Sequence, residues 1–276
     1  LMLVDYHLHT VYSHHAVGTI DDCLRWAEEL GNKEVCFTEH ISRQYLPEDF
    51  KRQIPYTWML DEELELYLRD VKEAGEKSSL AVRVGLETDY FAGYEEKLGE
   101  FLASLPLDFV LGVVHLLPMY GLEYVMYVED EPMRLLMNYL EYVKKAVESG
   151  LFDSMAHINL GWQAVPWPEG TDGRLVEDAL AEVVAAAHRQ DMCLEINTRA
   201  FNFEGYGTPE AYGKFLRLIA DYNVPITLGS DAHSPKEVGR NYPKALQTLA
   251  HYGITEAAVF VERKRHMVPL EAMVIR

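Results

Sequence analysis

The chain has 276 residues, 49% of them hydrophobic and 25% charged, with a formal net charge of -19. That balance supports a large core and excludes a disordered or low-complexity polypeptide. The acidic excess argues against sequence-independent nucleic-acid binding, which needs a basic face against phosphates, and basic residues cluster only at Arg263-Lys264-Arg265. The most apolar long stretch, Leu107 to Leu122, is too short to cross a membrane and is interrupted by His115 and Pro118. No basic segment followed by an apolar run opens the sequence, so no secretory leader is read. Cys23, Cys36 and Cys193 are widely spaced without a C-x-x-C, which points to buried thiols in a reducing, cytoplasmic setting.

In chain order, Leu3 to Tyr6 reads as a strand whose exit carries His7 and His9. Side chains at i and i+2 leave one face of a strand, so these two imidazoles can converge on one point, as metal ligands do. A chance H-x-H on a surface strand is the alternative. Thr19 to Leu30 reads as a helix, opened by Thr19 with Asp22 in a capping box and ended by Gly31. Glu34 to Thr38 is a second strand, leading to Glu39 and His40. Ile41 to Met59, with Pro47 and Pro55, reads as a long loop on the ligand-bearing side.

Leu60 to Ser79 is a charged helix, and Ala81 to Leu86 a third strand that ends at Glu87. A helix over Tyr94 to Ser104 precedes the run from Phe109 to Val114, which delivers His115. The loop from Leu116 to Pro132 holds Met119, Tyr120, Tyr124, Met126 and Tyr127, which either line a pocket or pack down. Met133 to Ser149 is helical, and Phe152 to Ala156 is a strand leading to His157. After a loop over Trp162 to Pro168 come a helix (Gly173 to Arg189) and a strand (Met192 to Asn197). Thr208-Pro209 opens the next helix, and Pro225 to Gly229 is a strand ending in Ser230-Asp231-Ala232-His233. Ser234 with Glu237 forms a capping box opening a helix to about His251. Ala257 to Val261 is an added strand or part of a closing wall.

Seven β-then-α units imply a parallel α/β sheet, closed most economically as a single (β/α) barrel over residues 1–276. Chemistry in such barrels sits at the C-terminal strand ends. His7, His9, His40, Glu87, His115, His157, Asp231 and His233 all fall there.

These motifs resemble the polymerase-and-histidinol-phosphatase (PHP) superfamily, and most closely its histidinol-phosphate phosphatase branch. The likeness runs over H-x-H-T at His7 to Thr10, Phe37 to His40, Gly85 to Glu87 with Asp89-Tyr90, Gly112 to His115, Ala156-His157, Glu195 to Thr198, and Gly229 to Ser234. It implies a distorted seven-stranded barrel of the TIM type and a trinuclear centre of two to three divalent ions. By motif position, His7, His9, Glu87 and Asp231 would hold one ion, Glu87 with His115 and His157 a second, and His15, His40 and His233 a third. Glu87, Asp231 and His233 are the implied catalytic groups. His14 is left as a solvated or supporting neighbour, and His188, His251 and His266 as ordinary histidines.

An imidazole-rich, Cys-free ligand set suits Zn, Mn or Fe in a reactive site. Three divalent ions against two ligand carboxylates leave a positive pocket that favours a phosphate dianion. Closely spaced metals can bridge and deprotonate a water and clamp the phosphoryl oxygens during in-line displacement. The implied activity is hydrolysis of a small phosphomonoester, histidinol phosphate being the named candidate. The alternatives are a hydrolase of an amide or lactone on the same centre and a non-catalytic, metal-stabilised module. In the histidinol-phosphatase branch the fifth-strand motif runs from Gly-His through Asp to a basic residue. Here Asn159 replaces the Asp and Trp162 stands at the basic position. Trp162 and Arg199 are therefore the candidate substrate contacts, Arg199 as a guanidinium clamp or as a salt-bridged rim residue.

Overall fold

The computed structural model describes residues 3–40, 43–54, 58–202 and 209–270. Seven strands, β1 (Leu3–Leu8), β2 (Asn32–His40), β3 (Ala81–Asp89), β4 (Phe109–Val113), β5 (Ser154–Met155), β6 (Cys193–Asn197) and β7 (Ile226–Gly229), form one sheet in that order. Every ladder is parallel, and most of these strand residues are buried, as strands covered on both faces must be. The ends of the sheet meet at a seam, where Leu8 bridges Ala232 in parallel and the His9 N–H donates to the Ala232 carbonyl at 2.9 Å. Below that bridge the Asp5 carboxylate stands in for the ladder, accepting from the Ser230 N–H (2.8 Å) and the Gly239 N–H (3.0 Å). Its burial pushes the Asp5 carboxyl up to about 6. The result is the nearly closed TIM-like barrel that the repeated units imply.

Helices cover the outside: α1 (Ile20–Leu30), α2 (Glu48–Lys51), α3 (Leu64–Lys77), α4 (Glu95–Ala103), α5 (Pro132–Glu148), α6 (Leu160–Ala164), α7 (Gly170–Arg189), α8 (Pro209–Asp221) and α9 (Tyr242–His251). The Thr19–Asp22 capping box forms as expected, and Gly31 ends α1 at φ 83°. The expected cap at Thr208 lies outside the described residues. Two local readings are corrected. The chain from Pro235 to Glu237 makes a single 3-10 turn without a Ser234 cap bond, because the Glu237 carboxylate accepts the His233 N–H at 2.9 Å instead. The helix then starts only at Tyr242. The segment read as a loop from Trp162 begins inside α6, a short helix with consequences for which side chains face the mouth.

Residues 256–261 (β8) and 264–269 (β9) pair as an antiparallel hairpin outside the barrel sheet. This hairpin closes the N-terminal end of the barrel. Phe260 packs 5.0 Å from Phe109 between ring centroids, and its N–H donates to the Tyr6 hydroxyl at 2.7 Å. Tyr6 in turn donates to Glu34 at 2.5 Å. Val4, Tyr6, Cys36, Phe109, Leu111 and Cys193 make up this floor with the hairpin, and all three cysteines are free and buried. The β1–β2 register slips between Asp5 and Leu8. Such an irregularity re-aims side chains, and it lets Tyr6 serve the floor while His7, one residue on, serves the mouth.

Candidate metal centre

The strand exits bring the predicted ligands together. His7 and His9 are fully buried at the end of β1, with Nε2 atoms 3.0 Å apart. Glu87, near the C-terminal end of β3, stands at the middle of the cluster. Its Oε2 lies 3.4 Å from both of those nitrogens and 3.1 Å from His40 Nδ1, while its Oε1 lies 3.1 Å from His157 Nε2 and 3.8 Å from His115 Nε2. From the other side of the seam, Asp231 Oδ1 stands 3.8 and 3.7 Å from His7 and His9 Nε2. Asp231 takes the left-handed conformation at φ 51°. His15, at the rim, and His233 bring their Nε2 atoms to 2.9 Å. Three sets of donor atoms, His7-His9-Glu87, His40-Glu87-His115 and His9-His40-His233, are each close enough to hold a single ion. Glu87 belongs to two of them, as a bridging carboxylate would.

The outward nitrogens say what the inward ones are. His15 Nδ1 faces the Ser13 carbonyl (2.6 Å) and His233 Nδ1 the Asp231 carbonyl (3.1 Å). A carbonyl only accepts, so in each ring Nδ1 carries the hydrogen. In the neutral rings the two Nε2 lone pairs therefore point at each other across 2.9 Å, an arrangement that calls for a cation between them. The same holds at the centre: His7 Nδ1 donates to Glu195 (2.5 Å), and His9 Nδ1 donates to the Ser13 hydroxyl (3.1 Å), whose own hydrogen goes to Glu39. Carboxylate and carbonyl partners on the far nitrogen fix both tautomer and ring orientation at metal sites. Glu87 Oε2 and His40 Nδ1 are buried without a hydrogen bond, an expensive condition for a carboxylate oxygen and a ring nitrogen unless an ion satisfies them. The donor set fits divalent transition metals.

Electrostatics agree. Burial would raise the Glu87 carboxyl, but the His40, His7 and His115 rings outweigh it and hold it well below the usual range. Burial likewise opposes charge on His115, yet the Asp89 and Glu87 carboxylates push its pKa up to about 9. Asp89 achieves this by gripping the residue twice, accepting from its backbone N–H at 2.8 Å and its Nδ1 at 3.0 Å. Ser13, Glu39, Asp89 and Glu195 were given no individual role from the sequence. The available signal was a carboxylate inside an apolar strand or at its end, since Glu39, Asp89 and Glu195 are almost fully buried.

A cavity of about 830 Å³ opens above the cluster. Trp58 enters it from the long second loop and stacks on His40 at 5.7 Å. Tyr124, Met126 and Tyr127 line one wall, while Tyr120 turns away to donate to Asp130. Arg199 also lines it, with Nη1 3.5 Å from Asp231 Oδ2. Trp162 does not reach the cavity. It is 2% exposed and packs against Trp167 and Phe215, because the turn of α6 that carries it inward presents Leu160 and Gln163 to the mouth. The expectation of a Trp162 substrate contact is corrected on that ground. His14 sits at the rim, paired with Glu63 at 2.7 Å, and His188, His251 and His266 are exposed.

Fold and site together define a (β/α) barrel with an imidazole- and carboxylate-rich mouth built for cations. Residues 5–199 match the PHP domain family, and residues 209–247 match the PHP-associated family; β7 lies in the second segment, so one sheet runs through both. The chain is 30% identical to a Deinococcus radiodurans protein named "Probable histidinol-phosphatase", covering 91% of this chain and 94% of that one. It is 26% identical to a Lactococcus lactis histidinol-phosphatase, over 93% and 94%. The crystal structure of the histidinol phosphate phosphatase from Lactococcus lactis, complexed with zinc, L-histidinol and phosphate, superimposes with a TM-score of 0.79 at 23% identity, covering 95% of this chain and 98% of that one. This chain belongs to the PHP domain family.

Proposed function

We propose that this protein is a metal-dependent phosphomonoesterase acting on a small phosphate ester, histidinol phosphate being the named candidate. The observation that carries the reading is the set of inward Nε2 lone pairs, locked by their Nδ1 partners around the orphaned Glu87 oxygen. The names of the Deinococcus and Lactococcus relatives support it. His7, His9, Glu87 and Asp231 would hold one ion, Glu87, His115 and His157 a second, and His15, His40 and His233 a third. When bound, such ions supply Lewis acidity to phosphoryl oxygens and make the attacking water more acidic.

The chain itself does the rest. Glu195, Asp89 and Ser13 orient the rings before substrate arrives, so no reorganisation is needed as charge develops. Asp231 stays ionised: burial would raise its pKa, but His7, His233, His157 and Arg199 hold it well below the usual range. Arg199, two-thirds buried at the cavity wall and steered by Asp231, offers guanidinium donors to a phosphate. A cavity of about 830 Å³ suits a small ester. In the test, protein prepared without chelator is analysed for metal and assayed on phosphate esters, amides and lactones. Roughly two to three ions per chain and phosphate release that EDTA abolishes are expected. Metal-free protein, or metal-replete protein that releases no phosphate, refutes the proposal.

A further inference from the structure

Arg240 lies in the turn between the seam and α9, outside the donor cluster, and the chain around it is tied to β1 and to the exit of β6. The Gly239 N–H donates to Asp5 at 3.0 Å, the Asn241 amide to the Thr198 carbonyl at 2.9 Å and the Tyr242 hydroxyl to the Val4 carbonyl at 2.6 Å. The Arg240 side chain is only 16% exposed, and its guanidinium makes two contacts. Nη2 donates to the Asp231 carbonyl at 2.8 Å, and Nη1 pairs with Glu237 at 3.1 Å. Its Nε is buried without a hydrogen bond. An unmet donor on a buried cation is costly, so stapling the seam is a poor account of this residue.

Both contacts lead to His233. The Asp231 carbonyl also accepts from His233 Nδ1 at 3.1 Å, and the second Glu237 oxygen accepts from the His233 N–H at 2.9 Å. One guanidinium therefore holds the two acceptors that fix the ring and the backbone of a single imidazole. Both lone pairs of the Asp231 carbonyl are engaged, and Asp231 stays left-handed at φ 51°, which a non-glycine residue does only where its surroundings impose it. The Asp231 carboxylate is held separately, by the Asn197 amide at 3.3 Å and Arg199 Nη1 at 3.5 Å. Arg240 thus acts toward the rim. There His233 Nε2 faces His15 Nε2 across 2.9 Å, and His233 is the one partly exposed member of its donor set, with the most freedom to swing unless held. We propose that Arg240 is a positioning residue for the rim ion: by gripping the Asp231 carbonyl and Glu237 it keeps His233 Nε2 turned inward, and the two inner donor sets do not depend on it. This rests on the metal centre of the phosphatase reading and adds to it a residue that touches neither metal nor substrate.

The test loads the full chain with zinc, dialyses it against graded EDTA and counts zinc per chain, with a urea titration to confirm folding. Arg240→Met keeps the stem and removes both contacts. It should release one ion at an EDTA concentration about ten- to a hundredfold below the wild-type value, the usual cost of losing a group behind a metal-bound histidine, while the other ions hold as in the wild type. Arg240→Lys keeps the charge but has no fork to span both oxygens, so it should weaken the same ion by less than about tenfold. His15→Ala takes away a proposed ligand of the rim ion, and adding Arg240→Met to it should cost no further ion. Unchanged zinc retention in Arg240→Met, equal weakening of every ion, or a further ion lost in the double variant overturns the proposal while leaving the phosphatase reading intact. So does a wild-type chain from which His15→Ala removes no ion. If Arg240→Met does not fold, Arg240→Lys decides, and wild-type retention there overturns the proposal. A wild-type chain that binds no zinc overturns both.

Discussion

Replacing Glu195 by glutamine removes one charge while keeping the side chain's shape. The carboxylate accepts from His7 Nδ1 at 2.5 Å and from the His157 N–H at 2.8 Å, so it orients two of the proposed ligands at once. An amide offers one accepting oxygen where two are needed, and its NH2 must then face either a ring N–H or a backbone N–H. The site cannot relax to avoid this. A Cβ built on Gly229 would lie 2.5 Å from both Glu195 Oε1 and His7 Cβ, which shows how closely the backbone of β7 backs the pair. Losing one charge-assisted hydrogen bond is worth about 2 kcal/mol, or roughly thirtyfold, within the range for removing a carboxylate behind a metal-bound histidine. The assay is the chelator concentration that strips half of the bound metal, measured beside kcat/KM, with circular dichroism to confirm the fold. Both should fall together by roughly that factor. Wild-type metal retention with wild-type turnover in Glu195→Gln would refute the claim that this carboxylate sets the orientation of His7.

Glu87→Gln should abolish turnover in a folded barrel, because Oε1 and Oε2 face rings on different sides of the cluster; measurable kcat near the wild-type value removes the bridging role. His14→Ala is the companion, since among the described residues this rim histidine pairs with the partly exposed Glu63, and it should cost less than about 1 kcal/mol in kcat/KM. Arg199→Ala should weaken transition-state binding by about 2–4 kcal/mol for every phosphate ester tried, the range for losing a charge-assisted contact to a desolvated anion; a loss below about 1 kcal/mol marks a rim residue. Phe260→Ala should lower folding stability by about 3–5 kcal/mol in urea titration, since the ring is 3% exposed against Tyr6 and Phe109, yet leave metal stoichiometry unchanged because the floor and the mouth occupy opposite ends of the barrel.

The sequence was most informative where one short-range rule acts alone. The i, i+2 spacing of His7 and His9, the Thr19–Asp22 box and the succession of apolar runs ending in His, Glu or Asp each follow from local geometry, and together they located both the barrel and its mouth. It was least informative where distant segments compete for a side chain. Ser234 and Glu237 have capping-box spacing, but Glu237 is taken by the His233 N–H and by Arg240. Glu195 finds His7 across 188 positions, a pairing no window of sequence contains. Trp162 sits at the motif position of a cavity residue, yet one unforeseen turn of helix sends it into the core. The hairpin strand from Lys264 to Pro269 is half polar, in two blocks, and largely exposed, so it lacks the alternation that would announce it.

The seam between β1 and β7 also governs the order of events during folding. It joins Leu8 to Ala232, and the floor joins Tyr6 to Phe260 across 254 positions. Contacts of such separation carry a large loop-closure entropy and form late. His7 and His9 stand on one lip of the seam, Asp231 and His233 on the other, so the set His9-His40-His233 does not meet until the last strand docks beside the first, whereas His7-His9-Glu87 and His40-Glu87-His115 draw on earlier strands alone. Nascent chain emerging from a ribosome would therefore lack that third set until nearly all of it is free. Uptake of the last ion becomes a signal of ring closure, and stopped-flow quenching or release of a chelating dye during refolding would resolve it as a phase later than the first uptake.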